Sequence, residues 1–250
     1  MSPSRADWRR RTVFAYLDEP PFCFPGANGP SGCDIELGVR VLKAIGVAEI
    51  AFVKVAFAEL IPGLMAGRWS LNTPLFISGE RARLVDFSRP VWALADGLLM
   101  RAGEEARFPS YEALAANPAM RLAVVADQIQ ERTAMAAGVP VASISRFATQ
   151  EGAARAVRDG AADAYASVAM AHRGYLKRAA DEGLAMVDIA EAAPDTRGAA
   201  RAAGAFSFAK GDHEFRQAFD AELARIIATD DHRRMMRGYG FSDAETPPLP

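Results

Sequence analysis

The chain has 250 residues, half of them apolar and about a quarter charged, with a formal net charge of -2. That length allows one large domain or two lobes of ordinary size, each with a full core, and the charge gives no basis for nucleic acid or an anionic membrane surface as partner. No run reaches the roughly 18 apolar residues of a membrane span, and Met1 to Thr12 is polar and basic with no apolar core behind it, so no secretory signal is legible.

Residues 12–17 (TVFAYL) are β-branched and aromatic and predict a buried strand. A Pro/Gly-rich loop follows, flanked by Cys23 and Cys33. Their short separation permits a disulfide and equally suits two small buried apolar residues. Asp34 is placed to N-cap a helix running to about Ile45, with Ile35, Val39, Leu42 and Ile45 on one face and Gly46 as its stop. Residues 50–57 read as a second strand and residues 58–65 as a helix ended at Gly67. Strand, helix, strand and helix in succession predict a parallel α/β sheet.

Val91 to Met100 predicts one extended apolar strand, broken by residues 102–105. A second α/β set follows: strand 121–126, helix 129–137, strand 141–144, helix 149–158 and strand 162–166. Residues 192–204 have the composition of a linker. A strand at 206–209 then leads into a helix with Phe215, Phe219, Leu223 and Ile226 on one face. The proline-rich end, Thr246 to Pro250, predicts a flexible tail.

This order predicts an α/β fold of two lobes, the first made of residues 12–96 plus 201–242 and the second of 97–200, with flexible tails at 1–11 and 243–250. Two strand crossings would form the hinge, and ligands are expected where strand ends of both lobes face each other. Three scattered histidines and two cysteines form no ligand cluster, so neither metal nor cofactor is expected.

The segment Phe57 to Ser88, FAELIPGLMAGRWSLNTPLFISGERARLVDFS, holds an amphipathic helix, a glycine stop, a short apolar strand, an arginine beside a glutamate and an Asp-Phe-Ser strand entry. It resembles the carboxylate-binding segment of bacterial solute-binding proteins of family 3, the receptors of polar amino-acid uptake systems. The resemblance extends over about residues 12–242 and implies a two-lobed periplasmic-binding-protein fold of type II. It further implies a monomer that is periplasmic, with a cytoplasmic place left open by the N-terminal reading, is no enzyme, and hands a small solute to an ABC permease.

Within that resemblance Arg81 corresponds to the arginine at the end of a short strand that clamps the ligand carboxylate, and Ser78 stands where threonine is usual. A guanidinium suits the task because its planar fork makes two charge-assisted hydrogen bonds to one carboxylate. Against this stands a plain surface arginine, as nearby Arg83 illustrates. Glu19, in Asp18-Glu19-Pro20-Pro21-Phe22, replaces the tyrosine that usually stacks over the ligand. A carboxylate there is either a solvated loop acid or the partner of a ligand cation, because an unpaired buried charge is costly.

Phe76 stands where amino-acid receptors tend to carry a hydroxyl, and the resemblance brings Phe22, Phe57 and Trp92 near the cleft as well. A set of aromatic faces suits a cation of diffuse charge, although each ring alone is more often core. In the second lobe Val168 occupies the place of the aspartate that binds an α-ammonium, and Gln128 stands at a helix start where hydroxyls usually meet the carboxylate. The acid before Pro-Phe, the Phe76–Arg81 spacing and the Asp-Ala-Tyr-Ala run containing Tyr165 resemble the ectoine and hydroxyectoine receptors of the family. The implied ligand is a zwitterion with a delocalised cation and no α-ammonium, such as ectoine, with betaines and cyclic amino acids as relatives in charge. The alternatives are a sensor domain binding the same solute, and a dehydratase-like enzyme on the same scaffold with Glu19 as its acid or base.

Overall fold

The computed structural model describes residues 7–246 apart from 118, 181 and 228. In chain order it begins with β1 (Arg11–Tyr16), β2 (Phe24–Gly26), β3 (Gly29–Ser31), α1 (Cys33–Ala44), β4 (Glu49–Lys54) and α2 (Leu60–Met65). Next come β5 (Leu71–Phe76), α3 (Gly79–Leu84), β6 (Val85–Phe87), β7 (Trp92–Leu94), β8 (Asp96–Arg101) and α4 (Tyr111–Ala115). β9 (Leu122–Val125), α5 (Ile129–Ala136), β10 (Ile144–Phe147), α6 (Gln150–Arg158), β11 (Ala164–Val168), α7 (Ala169–Ala179), β12 (Leu184–Asp188) and α8 (Ile189–Ala192) follow. The chain closes with β13 (Ala202–Ala209), α9 (His213–Ile227) and α10 (Asp230–Gly238).

Contacts divide the chain into two units, one holding the residues up to Asp18, Phe22–Ala93 and those from Ala203 onward, the other Glu19–Pro21 and Leu94–Ala202. In the first, the order β4-β1-β5-β13-β6 places β5 at the centre, and all six β5 residues are buried. Such a strand must be apolar on both faces or satisfy its polar groups internally. The Asn72 amide nitrogen does the latter, donating to Ser207 Oγ on β13 at 3.0 Å and to Leu60 O at 3.2 Å, whereas Asn72 Oδ1 and Thr73 Oγ1 are buried with no hydrogen-bond partner among the described residues. β1 runs parallel to both β4 and β5, whereas β13 is antiparallel to β5 and β6, so the sheet is mixed rather than parallel throughout. α9 buries Phe215 and Phe219 against Phe206 and Phe208 of β13, with Phe206–Phe219 and Phe208–Phe215 centroids 5.0 and 5.2 Å apart in edge-to-face geometry.

In the second unit the order is β10-β9-β11-β8-β12, with β10, β9 and β11 parallel and β8 antiparallel to β11 and β12. Its core gathers Leu98, Met100, Tyr111, Leu122, Val124 and Ile189. Asp163, at the entry to β11, binds the backbone and guanidinium of Arg121 and also meets Arg101, which fixes that strand's start.

Several expectations change. Residues 91–100 are two strands, because β7 pairs with β13 of the first unit while β8 pairs within the second. Val141–Ser143 is a 3-10 turn and the strand falls at Ile144–Phe147. β13 takes in residues 202–204, which were expected as linker. The N-terminal tail, expected through residue 11, gives way to packed chain by Trp8, which is buried and stacks on Phe215 at 5.0 Å. At the other end Glu245 is buried and its carbonyl accepts from Ala93 N, and only residues 247–250 of that expected tail lie outside the described chain. Asp34 does not cap α1; Gly32 holds that position, and Asp34 lies buried in the first turn. Residues 19–21 group with the second unit because α7 accepts them closely: a Cβ on Gly174 would fall 2.4 Å from Pro20 O.

Candidate functional site

The candidate residues separate between the two units. In the first, Ser78 ends the extended chain after β5 and caps α3, its Oγ accepting from Arg81 N at 3.2 Å. Arg81 therefore sits in the first helical turn, not at a strand end as its family counterpart was expected to. Its Nη1 donates to Phe76 O at 3.0 Å, and its guanidinium carbon lies 5.3 Å from the centre of the half-buried Phe57 ring. Backbone cap, carbonyl and ring together orient a cation that is only 7% exposed.

The other three predicted aromatics form one cluster. Trp92 meets Phe76 edge-on at 5.3 Å and Phe22 at 5.6 Å, and all three are buried. The indole is held from behind: its Nε1 donates to Asp34 Oδ1 at 3.2 Å, and a Cβ on Gly204 would fall 2.1 Å from its outer edge. Asp34 was missed as a supporting residue. An acid inside the buried stripe of α1 is the signal for it, but the pairing with Trp92 is non-local.

The second unit holds Glu19, Gln128 and Tyr165. Gln128 occupies the N-cap position of α5, yet its side chain does not cap. Instead its Nε2 donates to Glu19 Oε1 at a long 3.4 Å, and its Oε1 is buried with no hydrogen-bond partner among the described residues. The amide thus serves the acid rather than presenting a hydroxyl-like donor to a carboxylate. Burial pushes the Glu19 carboxyl up to about 7, and the Gln128 hydrogen bond offsets only part of that. The residue itself is partly buried, with its carboxyl in desolvated surroundings.

Tyr165 is fully buried, and its hydroxyl has no partner of good geometry among the described residues. Burial first, and the nearby Glu19 charge second, push this phenol up; Ser167 on the same face of β11 offsets a little of it. Behind it stands His172, edge-on at 5.0 Å, its Nε2 bonded to Gly97 O and its imidazole held neutral by burial. Val168 closes β11 and is buried, leaving that position apolar.

A further buried carboxylate was not anticipated. Asp96 opens β8, accepting from Gln130 Nε2 at 2.7 Å and Tyr111 OH at 2.9 Å, and burial pushes it up to about 6. Its backbone N–H bonds Gly198 O, so it ties α4, α5 and the 192–201 segment together. An acid within the apolar run WALADGLLM is the legible signal; its partners are not. Among the described residues no group of three or more His, Cys, Asp or Glu could hold a metal ion, and no helix is long and apolar enough to cross a membrane.

Comparison with known proteins places this geometry. The profile of the bacterial extracellular solute-binding proteins, family 3, matches residues 12–242. A probable amino-acid ABC transporter periplasmic-binding protein of Sinorhizobium fredii, y4tE, is 31% identical over 233 residues, covering 92% of this chain and 76% of that protein. The crystal structure of EhuB in complex with hydroxyectoine superposes with a TM-score of 0.83 at 29% identity, covering 93% of this chain and 89% of that one. A histidine kinase sensor domain with similarity to periplasmic binding proteins shares the fold at a TM-score of 0.79 and 21% identity, covering 93% and 97% of the two chains. The chain belongs to the family 3 solute-binding proteins, and its fold is the two-lobed type II fold of that family.

Proposed function

We propose that this family 3 solute-binding protein is the periplasmic receptor of an ABC uptake system and closes on a single zwitterion whose cation carries N–H groups. Arg81 takes the carboxylate and Glu19 the cation. The observation that carries this reading is the set of acceptors in the second unit. Glu19, the Gln128 Oε1 and the Tyr165 hydroxyl are desolvated oxygens, and the one bond made to Glu19 by a neighbouring side chain is a neutral amide. A buried oxygen without a donor costs about 1–3 kcal/mol, and a cation bearing N–H groups removes that cost while a quaternary ammonium does not.

An ectoine-like solute fits best. Its cyclic amidinium carries N–H donors and spreads its charge over a flat face, which suits aromatic neighbours such as Phe76 and Phe57. It lacks the α-ammonium for which Val168 supplies no anchor. Likeness to EhuB, crystallised with hydroxyectoine, supports the same class. Contacts made in both units favour the closed state over the open one, which is how a receptor of this family signals occupancy. Micromolar affinity corresponds to about -8 kcal/mol, within reach of one ion pair at each end plus ring contacts.

The test is calorimetric titration of protein stripped of ligand by unfolding and refolding, against ectoine, hydroxyectoine, glycine betaine, proline, arginine, glutamine and glutamate. One-to-one binding of ectoine or hydroxyectoine, with the α-amino acids and betaine at least about tenfold weaker, is the expected result. Preference for glycine betaine would overturn the N–H requirement. Preference for a standard amino acid would overturn the roles given to Glu19 and Val168.

A further inference from the structure

The two cysteines lie outside the ligand reading and inside the support of its aromatic cluster. Both are buried, at 1% and 0% exposure, and both carry thiols in this structure. Cys23 and Cys33 bracket the β2–β3 hairpin, whose register pairs Phe24 with Ser31, Pro25 with Pro30 and Gly26 with Gly29. One step further out, that register sets Cys23 opposite Gly32, with Cys33 one residue beyond. The strands remain tightly closed there, since Asp34 N donates to Phe22 O at 3.0 Å. A Cβ on Gly32 would fall 2.2 Å from Phe22 O and 2.8 Å from Cys23 Cα. Gly32 also has φ of 119°, which breaks the strand alternation just before Cys33.

Cys33 is one Cα step of about 3.8 Å beyond Gly32, and so short a step from this close backbone contact keeps it within reach of the roughly 4.4–6.8 Å Cα span a disulfide accepts. Burial raises the Cys33 thiol, Asp34, whose Oδ1 accepts from Cys33 Sγ at 3.5 Å, raises it further, and Cys23 adds a smaller part.

We propose that Cys23 and Cys33 are a modification site: they form an intramolecular disulfide that clamps the base of the hairpin and, through it, the mount of Trp92. Phe22 precedes one cysteine and Asp34 follows the other, and these two residues hold the indole by ring contact and by hydrogen bond. The bond forms by loss of two protons and two electrons from the thiols to the disulfide form of a dithiol oxidant, which is itself reduced to two thiols. The site needs no ligand to form, so its test is separate from the one above.

Folded full-length chain is equilibrated in a glutathione disulfide/glutathione buffer, unfolded in acid, alkylated and mapped as non-reduced peptides. The expected result is a Cys23–Cys33 cross-linked peptide in place of two alkylated ones, with a rise of several degrees in Tm over the reduced chain. The Cys23→Ser/Cys33→Ser chain should show no redox-dependent Tm. Alkylation at both positions, or glutathione adducts in place of the cross-link, would overturn the pairing. A cross-link that leaves Tm and the Trp92-dependent fluorescence unchanged would overturn the clamp.

Discussion

The two halves of the candidate site are built on opposite principles. Arg81 is pre-placed: a Ser78 cap, the Phe76 carbonyl and the Phe57 face fix its guanidinium before any ligand arrives. Glu19 is under-served: it has a long bond to one amide, a carboxyl pushed up to about 7, and beside it a phenol with no partner of good geometry among the described residues. Preorganisation lowers the cost of ordering on binding, while an unmet desolvated acceptor makes the choice of ligand strict, because the wrong one leaves it unmet. On the proposed reading, the first unit supplies affinity for any small carboxylate and the second supplies discrimination.

The difference is sharpest in paired substitutions. Arg81→Ala should have the largest effect, a loss of about 100-fold or more for every carboxylate ligand, since two charge-assisted hydrogen bonds go at once. Calorimetry checks this, and unchanged affinity would remove Arg81 from the site. Glu19→Gln should cost about 10- to 100-fold for ligands that carry a cation and leave carboxylates without one unaffected.

Proton linkage separates these two further. Cation binding needs the carboxylate form, so below about pH 7 each captured ligand must displace a proton from Glu19. Kd should rise by up to about tenfold per pH unit below 7 and level off above it, with proton release visible when buffers of different ionisation enthalpy are compared. Stability of the ligand-free protein runs opposite to affinity. The folded-state value lies above the unfolded one, so the native state binds more protons between about 4.5 and 7 and stability from this group falls as pH rises through that window. Glu19→Gln should flatten both slopes and should not lower Tm at neutral pH. A flat wild-type affinity profile from pH 5.5 to 8 would show that Glu19 takes no ligand cation.

The same contrast explains what was readable in the chain. Arg81, Ser78 and Phe76 lie within six residues, and their local spacing carried both the resemblance and the roles; only the seat of Arg81 differs, because Ser78 starts a helix there. The second half depends on groups far apart in sequence. Glu19 and Gln128 are separated by 109 residues, and nothing local tells that an acid from a Pro-rich loop packs with α5 and α7. Asp34 illustrates the limit from the other side. Its position before an apolar helical run made it look like a cap, and only the distant Trp92 shows why an acid is kept in a buried turn. Asp96 is legible as an anomaly in an apolar strand, but Tyr111 and Gln130 are what make it tolerable.

Two smaller substitutions refine the comparison. Tyr165→Phe removes one acceptor from the under-served half. With an N–H cation the loss should be about tenfold, one charge-assisted hydrogen bond at the low end of its range, about 1.5 kcal/mol. With no ligand the effect reverses: deleting an unpartnered buried hydroxyl should raise Tm slightly. Opposite signs in binding and stability are the mark of a group kept for its ligand, and a fall in both would assign Tyr165 to the core instead.

Ser78→Ala tests the pre-placed half more gently. The hydroxyl touches Arg81 only through the backbone N–H of the first helical turn. Losing an N-cap costs about 1 kcal/mol, part of it as stability and the rest as a guanidinium free to wander. Affinity should therefore fall only a few-fold, evenly across all carboxylate ligands, with no change in pH profile, and Ser78→Thr should restore it because threonine caps nearly as well. A ligand-selective loss would mean that the hydroxyl itself meets the solute. In that case the first unit would also share in discrimination, and the division of labour drawn here between the two units would not hold.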